Sequence, residues 1–193
     1  MKKKANRLTA ALTGGAVLAL VLTGCGGGDE DAEAKKKTDA WAKTVCDAWK
    51  PEVEKIRKAE EDIKKVSGDA TKPEEVKTAD SAAFGNIAAA YKALGAAVTN
   101  AGVPPVSSGK SAQTEAVGKF DKTSQGYTAL KTRIDALDTK DQAKFAKDLG
   151  EIAKGIDPLV TEAKSGFEQL DKAGLSAAMN AQPGCKDTAP AKS

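Results

Sequence analysis

Residues 71–105 read TKPEEVKTADSAAFGNIAAAYKALGAAVTNAGVPP, and this stretch decides the fold. Phe84, Ile87, Tyr91, Leu94, Val98 and Ala101 recur three or four apart, the spacing of one helical face. Thr71-Lys72-Pro73-Glu74 has the Thr-x-x-Glu form of a capping box, with proline in the first turn. Gly102-Val103-Pro104-Pro105 then stops the helix. No strand-like alternation of useful length accompanies it, so the stretch predicts a long amphipathic helix.

The same pattern extends on both sides. Upstream, from Thr38, the residues Ala42, Val45, Trp49, Ile56, Ala59, Ile63 and Val66 form a stripe that stops at Ser67-Gly68. Pro51 interrupts it, and a mid-helix proline removes a hydrogen bond and kinks or breaks the helix. Downstream, a loop through Ser107-Ser108-Gly109 leads to a third stripe with Ser111 as candidate cap: Ala116, Phe120, Thr123, Tyr127, Leu130, Ile134 and Leu137. Thr139-Lys140-Asp141-Gln142 is a second capping-box candidate. It opens a fourth stripe of Phe145, Leu149, Ile152, Ile156, Leu159, Ala163 and Leu170, which Asp157-Pro158 kinks or splits. The four stretches are each about 28–34 residues, or roughly 42–50 Å at ~1.5 Å per residue. Similar lengths and short connections predict an all-α protein: an antiparallel four-helix up-down bundle with kinks at Pro51 and Pro158.

The N-terminus has another character. Met1-Lys2-Lys3-Lys4-Ala5-Asn6-Arg7 is basic, and residues 8–22 are uncharged and apolar or small. This is the composition of an export signal, its apolar run shorter than the ~20 residues of a membrane-spanning helix. No twin arginine is present, which favours the general secretion route. The run ends in Leu22-Thr23-Gly24-Cys25, which resembles the lipobox of bacterial lipoproteins. That resemblance implies diacylglyceryl transfer to the Cys25 sulfur, cleavage before Cys25 and acylation of the freed amine. The domain reading is therefore a signal peptide at 1–24, a flexible tether at 25–37, a helical bundle at 38–186 and a disordered tail at 187–193. Lys35-Lys36-Lys37, in the tether, reads as a solvated face, with contact to anionic lipid headgroups the alternative.

Removal of the leader changes the charge balance. The chain has 30 Lys plus Arg against 27 Asp plus Glu. Four of the basic residues lie in the leader, which leaves 26 against 27, near neutral and unlike a nucleic-acid footprint. With Cys25 assigned to lipid, Cys46 and Cys185 remain. An even pair in an oxidising compartment reads as a disulfide, with two free thiols the alternative. The bundle topology puts the start of helix one and the end of helix four together, where these cysteines fall.

Histidine is absent from the chain. Ser-His-Asp and Cys-His nucleophile systems, the Glu-x-x-His pairs of di-iron bundles and histidine-bound haem or zinc are thereby excluded. Phosphate-binding glycine loops and Gly-x-Ser-x-Gly are also missing. Glu60-Glu61-Asp62 and Glu74-Glu75 are the remaining acid/base candidates, and both lie at helix ends where solvated acids are common. Glu54/Lys58, Glu60/Lys64, Glu61/Lys65 and Glu168/Lys172 read as four-apart ion pairs supporting helices, at ~0.2–0.5 kcal/mol each. Trp41, Trp49, Phe84, Tyr91, Phe120 and Tyr127 read as core, with Trp41 and Trp49 the candidates for a partly exposed aromatic contact.

As a whole the chain resembles the small, Ala-rich secreted lipoproteins of high-GC Gram-positive bacteria, with the lipobox as the specific motif. The expectation is a lipoprotein on the outer face of the cytoplasmic membrane, a non-catalytic helical binding or scaffolding module of the cell envelope. It is expected to meet the membrane through the lipid on Cys25 and to have an envelope protein as partner, with no cofactor, metal or nucleic acid. The alternative is a carrier or sensor holding a small apolar ligand between the helices.

Overall fold

The computed structural model describes residues 27–68 and 71–186, with side chains from residue 30 onward. The described chain is helical, without strands. Its elements are α1 (Gly27–Val66), α2 (Pro73–Asn100), α3 (Gly109–Asp135), α4 (Gln142–Ala153), α5 (Ile156–Lys172) and α6 (Ser176–Asn180), followed by a 3-10 turn at Pro183–Cys185.

Helix α1 departs from expectation at its start. Residues 27–37, expected as a flexible tether, are helical. Residues 30–37 are exposed, and ion pairs one turn apart, Lys37 with Glu33 at 2.8 Å and Lys35 with Asp39, support this segment. The helix runs through Pro51 without a break. Pro51 is exposed, so water can serve the Asp47 carbonyl that loses its donor.

The caps differ in detail from the sequence reading. Helix α2 opens with Pro73 at its first position and Lys72 as N-cap, without a side-chain cap from Thr71. Helix α3 opens at Gly109, and Ser111 donates to Glu115 at 2.8 Å instead of capping. Helix α4 is capped by Asp141, whose carboxylate accepts the Lys144 N–H at 2.9 Å, two residues beyond the expected Thr139.

The fourth stretch is two helices. It breaks at Lys154 and Gly155, before Pro158, which sits in the first turn of α5 where its missing N–H costs nothing. The break is where Gly155 meets Leu130 of α3: a Cβ on residue 155 would lie 2.8 Å from a Leu130 methyl. Gly166 makes a similar approach to the Phe120 ring at 2.9 Å. The helix-interior glycine there permits α3 and α5 to come close, which explains its ~1 kcal/mol propensity cost.

Helix α5 ends in a Schellman motif. Leu175 N donates to Leu170 O at 3.2 Å and Gly174 N to Asp171 O at 2.9 Å, with Gly174 at φ 83. Leu170 and Leu175 are both buried beneath it, the hydrophobic contact that accompanies this motif. The turn redirects the chain so that α6 and the 3-10 turn lie on α1.

Helix α1 packs on α2, α2 on α3, and α3 on α5. Every apolar stripe residue is buried or half-buried. One part of the core gathers Val45, Trp49, Val98, Phe120, Leu170 and Met179; the other gathers Ala59, Phe84, Ile87, Tyr127, Ile134 and Ile152. An aromatic chain links the two parts. Trp49 meets Phe167 and Phe120 edge-on at 5.2 and 5.7 Å, Phe120 stacks toward Tyr91, Tyr91 stacks on Tyr127 at 5.9 Å, and Tyr127 meets Phe84 edge-on at 5.6 Å.

Candidate functional site

The first site lies where the chain returns to α1. Cys46 on α1 and Cys185 in the 3-10 turn are joined as a disulfide, their Cα atoms 5.0 Å apart. Both are buried. Gly184 lets the turn lie directly on the backbone of α1 at Cys46. This pairing follows the sequence reading. Trp41 and Trp49 flank the cysteine, and both are buried, at 6% and 1% exposure. Their indole N–H groups donate to the carbonyls of Gly102 at 2.9 Å and Leu94 at 3.0 Å, fixing α1 to the C-terminal part of α2 and the turn that follows it. Neither tryptophan presents the exposed aromatic surface considered for them; they are core. Leu22, Thr23, Gly24 and Cys25 lie outside the described residues, as do the signal segment and the tail at 187–193.

The carboxylate candidates separate. Glu61 accepts from Arg57 and Asp62 from Lys65, so these acids are tied into solvated pairs different from the expected Glu61/Lys65 one. The Lys65 hydrogen bond holds the Asp62 carboxyl below its usual range. Glu74 is held low by its own backbone N–H and by the Thr139 hydroxyl. Loss of water pushes the Glu60 carboxyl up, with Lys64 opposing. Burial pushes the hydroxyl of Tyr127 up to about 12 and raises that of Tyr91 as well, with Glu60 adding to both. These phenols stay neutral and uncharged in the core.

A residue outside the sequence reading makes the second site. Asp80 sits on α2, four residues before Phe84 and four after Val76. It is buried at 6% exposure, and its Oδ1 has no hydrogen-bond partner among the described residues. Desolvation pushes its carboxyl up to about 6. Asp80 lines a cleft of about 410 Å³ between the end of α1, the start of α2 and α4. Val66, Val76, Phe145 and Leu149 give the cleft apolar walls, and Gln142 adds an amide. The signal in the sequence was a carboxylate in register with the Phe84 stripe.

Among the described residues no group of histidine, cysteine, aspartate or glutamate is arranged to hold a metal ion, and no helix is long and apolar enough to cross a membrane. No family model, no curated protein and no solved structure matches the chain. Fold and sites together define a helical protein clamped by a disulfide, with an apolar cleft that contains a buried carboxylate.

Proposed function

We propose that this chain is an exported lipoprotein, anchored through lipid on Cys25 to the outer face of the cytoplasmic membrane. There it serves as a non-catalytic helical binding or scaffolding module of the cell envelope, with an envelope protein as partner. The observation that carries the reading is the Cys46–Cys185 bridge. Such bonds persist in oxidising compartments outside the cytoplasm and are rare within it. The lack of histidine supports a role without catalysis.

The finer architecture belongs to the same proposal: α1, α2, α3 and α5 form an antiparallel up-down bundle. Trp41 reaches Gly102 while Trp49 reaches Leu94, so partners descend on α2 as positions rise on α1. Ser81 with Asp135 and Gln113 with Val98 do the same between α2 and α3. Lys119 with Glu162 and Gly126 against Leu159 do so between α3 and α5. Residues 27–40 of α1 then continue about 20 Å beyond Trp41 at ~1.5 Å per residue. In an anchored protein this segment is a spacer, with the disulfide end toward the membrane and the Asp80 cleft away from it.

The test is metabolic labelling with a fatty-acid probe together with cell fractionation. Wild type should carry label and sediment with membranes. Cys25→Ser should carry none and leave the membrane fraction. Label that persists on the Ser variant, or an unlabelled wild type found in the cytoplasm, refutes the reading.

A further inference from the structure

We infer that the cleft between α1, α2 and α4 binds a small organic ammonium ion, its charge against Asp80 and its apolar body against Val66, Val76, Phe145 and Leu149. Two observations carry this independently. The cleft holds about 410 Å³, within the range of small-molecule sites, and its walls combine apolar Val66, Val76, Phe145 and Leu149 with the polar Ser67, Thr71 and Gln142. Asp80 is buried there with an oxygen lacking any partner among the described residues. A buried carboxylate without a partner is costly, and packing alone would be served better by an apolar residue in this register with Phe84.

The complement must be a cation. Among the described residues no basic side chain lines the cleft. On the flanking helices, Lys77 donates to the Leu137 carbonyl at 2.7 Å and Lys144 pairs with Asp148, so neither neutralises Asp80. With its carboxyl raised only to about 6, Asp80 is ionised at neutral pH and presents the charge that an ammonium group requires. A protonated amine on a short hydrocarbon body supplies the missing positive charge and fills the apolar volume together. A neutral hydrocarbon leaves the carboxylate unpaired, and a carboxylic acid repels it.

The experiment uses the full chain in a non-ionic detergent, with micelles alone as blank. The probes are 2-phenylethylammonium and cyclohexylammonium, compared with 2-phenylethanol and phenylacetate. Fragments of this size bind in the millimolar range, so titrations extend to about 20 mM. The expected result at about pH 7.5 is a saturable rise in melting temperature with both ammonium probes. Binding of the alcohol should be roughly tenfold or more weaker, and that of phenylacetate undetectable. Asp80→Asn should lose roughly tenfold or more in ammonium affinity while keeping its helical circular dichroism spectrum. Leu149→Trp retains the carboxylate, fills the cleft and should abolish binding. Equal affinity for alcohol and ammonium, retention by Asp80→Asn or Leu149→Trp, or no saturable response to either amine overturns the inference. The outcome does not depend on whether Cys25 carries lipid.

Discussion

Gly184 lies so close to the main chain of Cys46 that no side chain fits between them. A Cβ on residue 184 would run into the Cys46 carbonyl and approach Asp47 N at 3.2 Å. These are backbone atoms of a helix, and they cannot turn aside as a side chain can. Gly184→Ala should therefore destabilise by about 1–3 kcal/mol through overpacking. Gly118→Ala is the control: nothing lies within 4 Å of its Cβ position. That change should stabilise by up to ~1 kcal/mol through helix propensity. Thermal melts should show the first variant below wild type and the second at or above it. A Gly184→Ala melting temperature equal to wild type would show that the turn does not rest on α1 in this way.

The bond beneath Gly184 closes a loop with a sequence separation of 139. Chain entropy places an upper figure of ~5 kcal/mol on such a crosslink, with ~2–4 kcal/mol usual. At about 2–4 °C per kcal/mol for a domain of this size, reduction should lower the melting temperature by roughly 5–15 °C. Cys46→Ser with Cys185→Ser should do the same, with the helical spectrum preserved in the cold. Thiol titration of the unreduced, denatured protein checks the premise, since reactive Cys46 and Cys185 would show the bridge absent.

Both tryptophans of the chain are at the core, each tied by its indole N–H to a carbonyl, that of Leu94 in α2 or that of Gly102 just beyond it. Iodide, which quenches only accessible indoles, should leave their emission nearly unchanged in the folded protein and quench it strongly in denaturant. Trp49→Phe removes a hydrogen bond from Leu94 O and part of the edge-on contacts with Phe120 and Phe167. It should cost about 1–3 kcal/mol. Strong iodide quenching of the native state would place Trp41 or Trp49 at the surface instead.

The four apolar stripes were legible because burial of one face imposes a period that Leu94, Val98, Phe120 and Ile134 display plainly. The disulfide was legible because two cysteines remained once Cys25 was read as a lipid site. The break at Gly155 was not. Ile152 and Ile156 are four apart, so the stripe runs across it, and the close approach of Gly155 to Leu130 leaves no mark in that spacing. The helical start of α1 was hidden by Gly26-Gly27-Gly28 and a mixed-charge run that reads as solvated chain. Its support comes from local pairs such as Lys37 with Glu33. Phe167 entered no stripe, yet it packs between Trp49 and Phe120. Asp80 was missed because a carboxylate interrupts an apolar pattern; its four-residue spacing from Val76 and Phe84 was the available sign.

Asp80 also sets a pH dependence. Its carboxyl titrates near the usual 3.8 in the unfolded chain and near about 6 in the fold, raised by desolvation. Between these values the native state binds more protons than the unfolded one. The contribution of Asp80 to stability is thus greatest below its unfolded pKa and is lost as pH rises through about 6. Carboxylates held low in the fold, such as Asp62, Glu74 and Asp135, act in the opposite sense. The whole-protein profile therefore mixes both, and the difference between Asp80→Asn and wild type isolates the Asp80 share. Asparagine stays neutral, so above about pH 6.5 the variant should be the more stable by roughly 1–3 kcal/mol, or a few degrees in melting temperature. That advantage should shrink as pH falls from about 6 toward 4 and vanish below about 3.8, where Asp80 is neutral in both the folded and the unfolded chain. Melts of both proteins across this range decide it. An advantage that is constant with pH would mean that Asp80 does not change charge there. A variant less stable than wild type at neutral pH would mean that the carboxylate has a cationic partner in the folded protein.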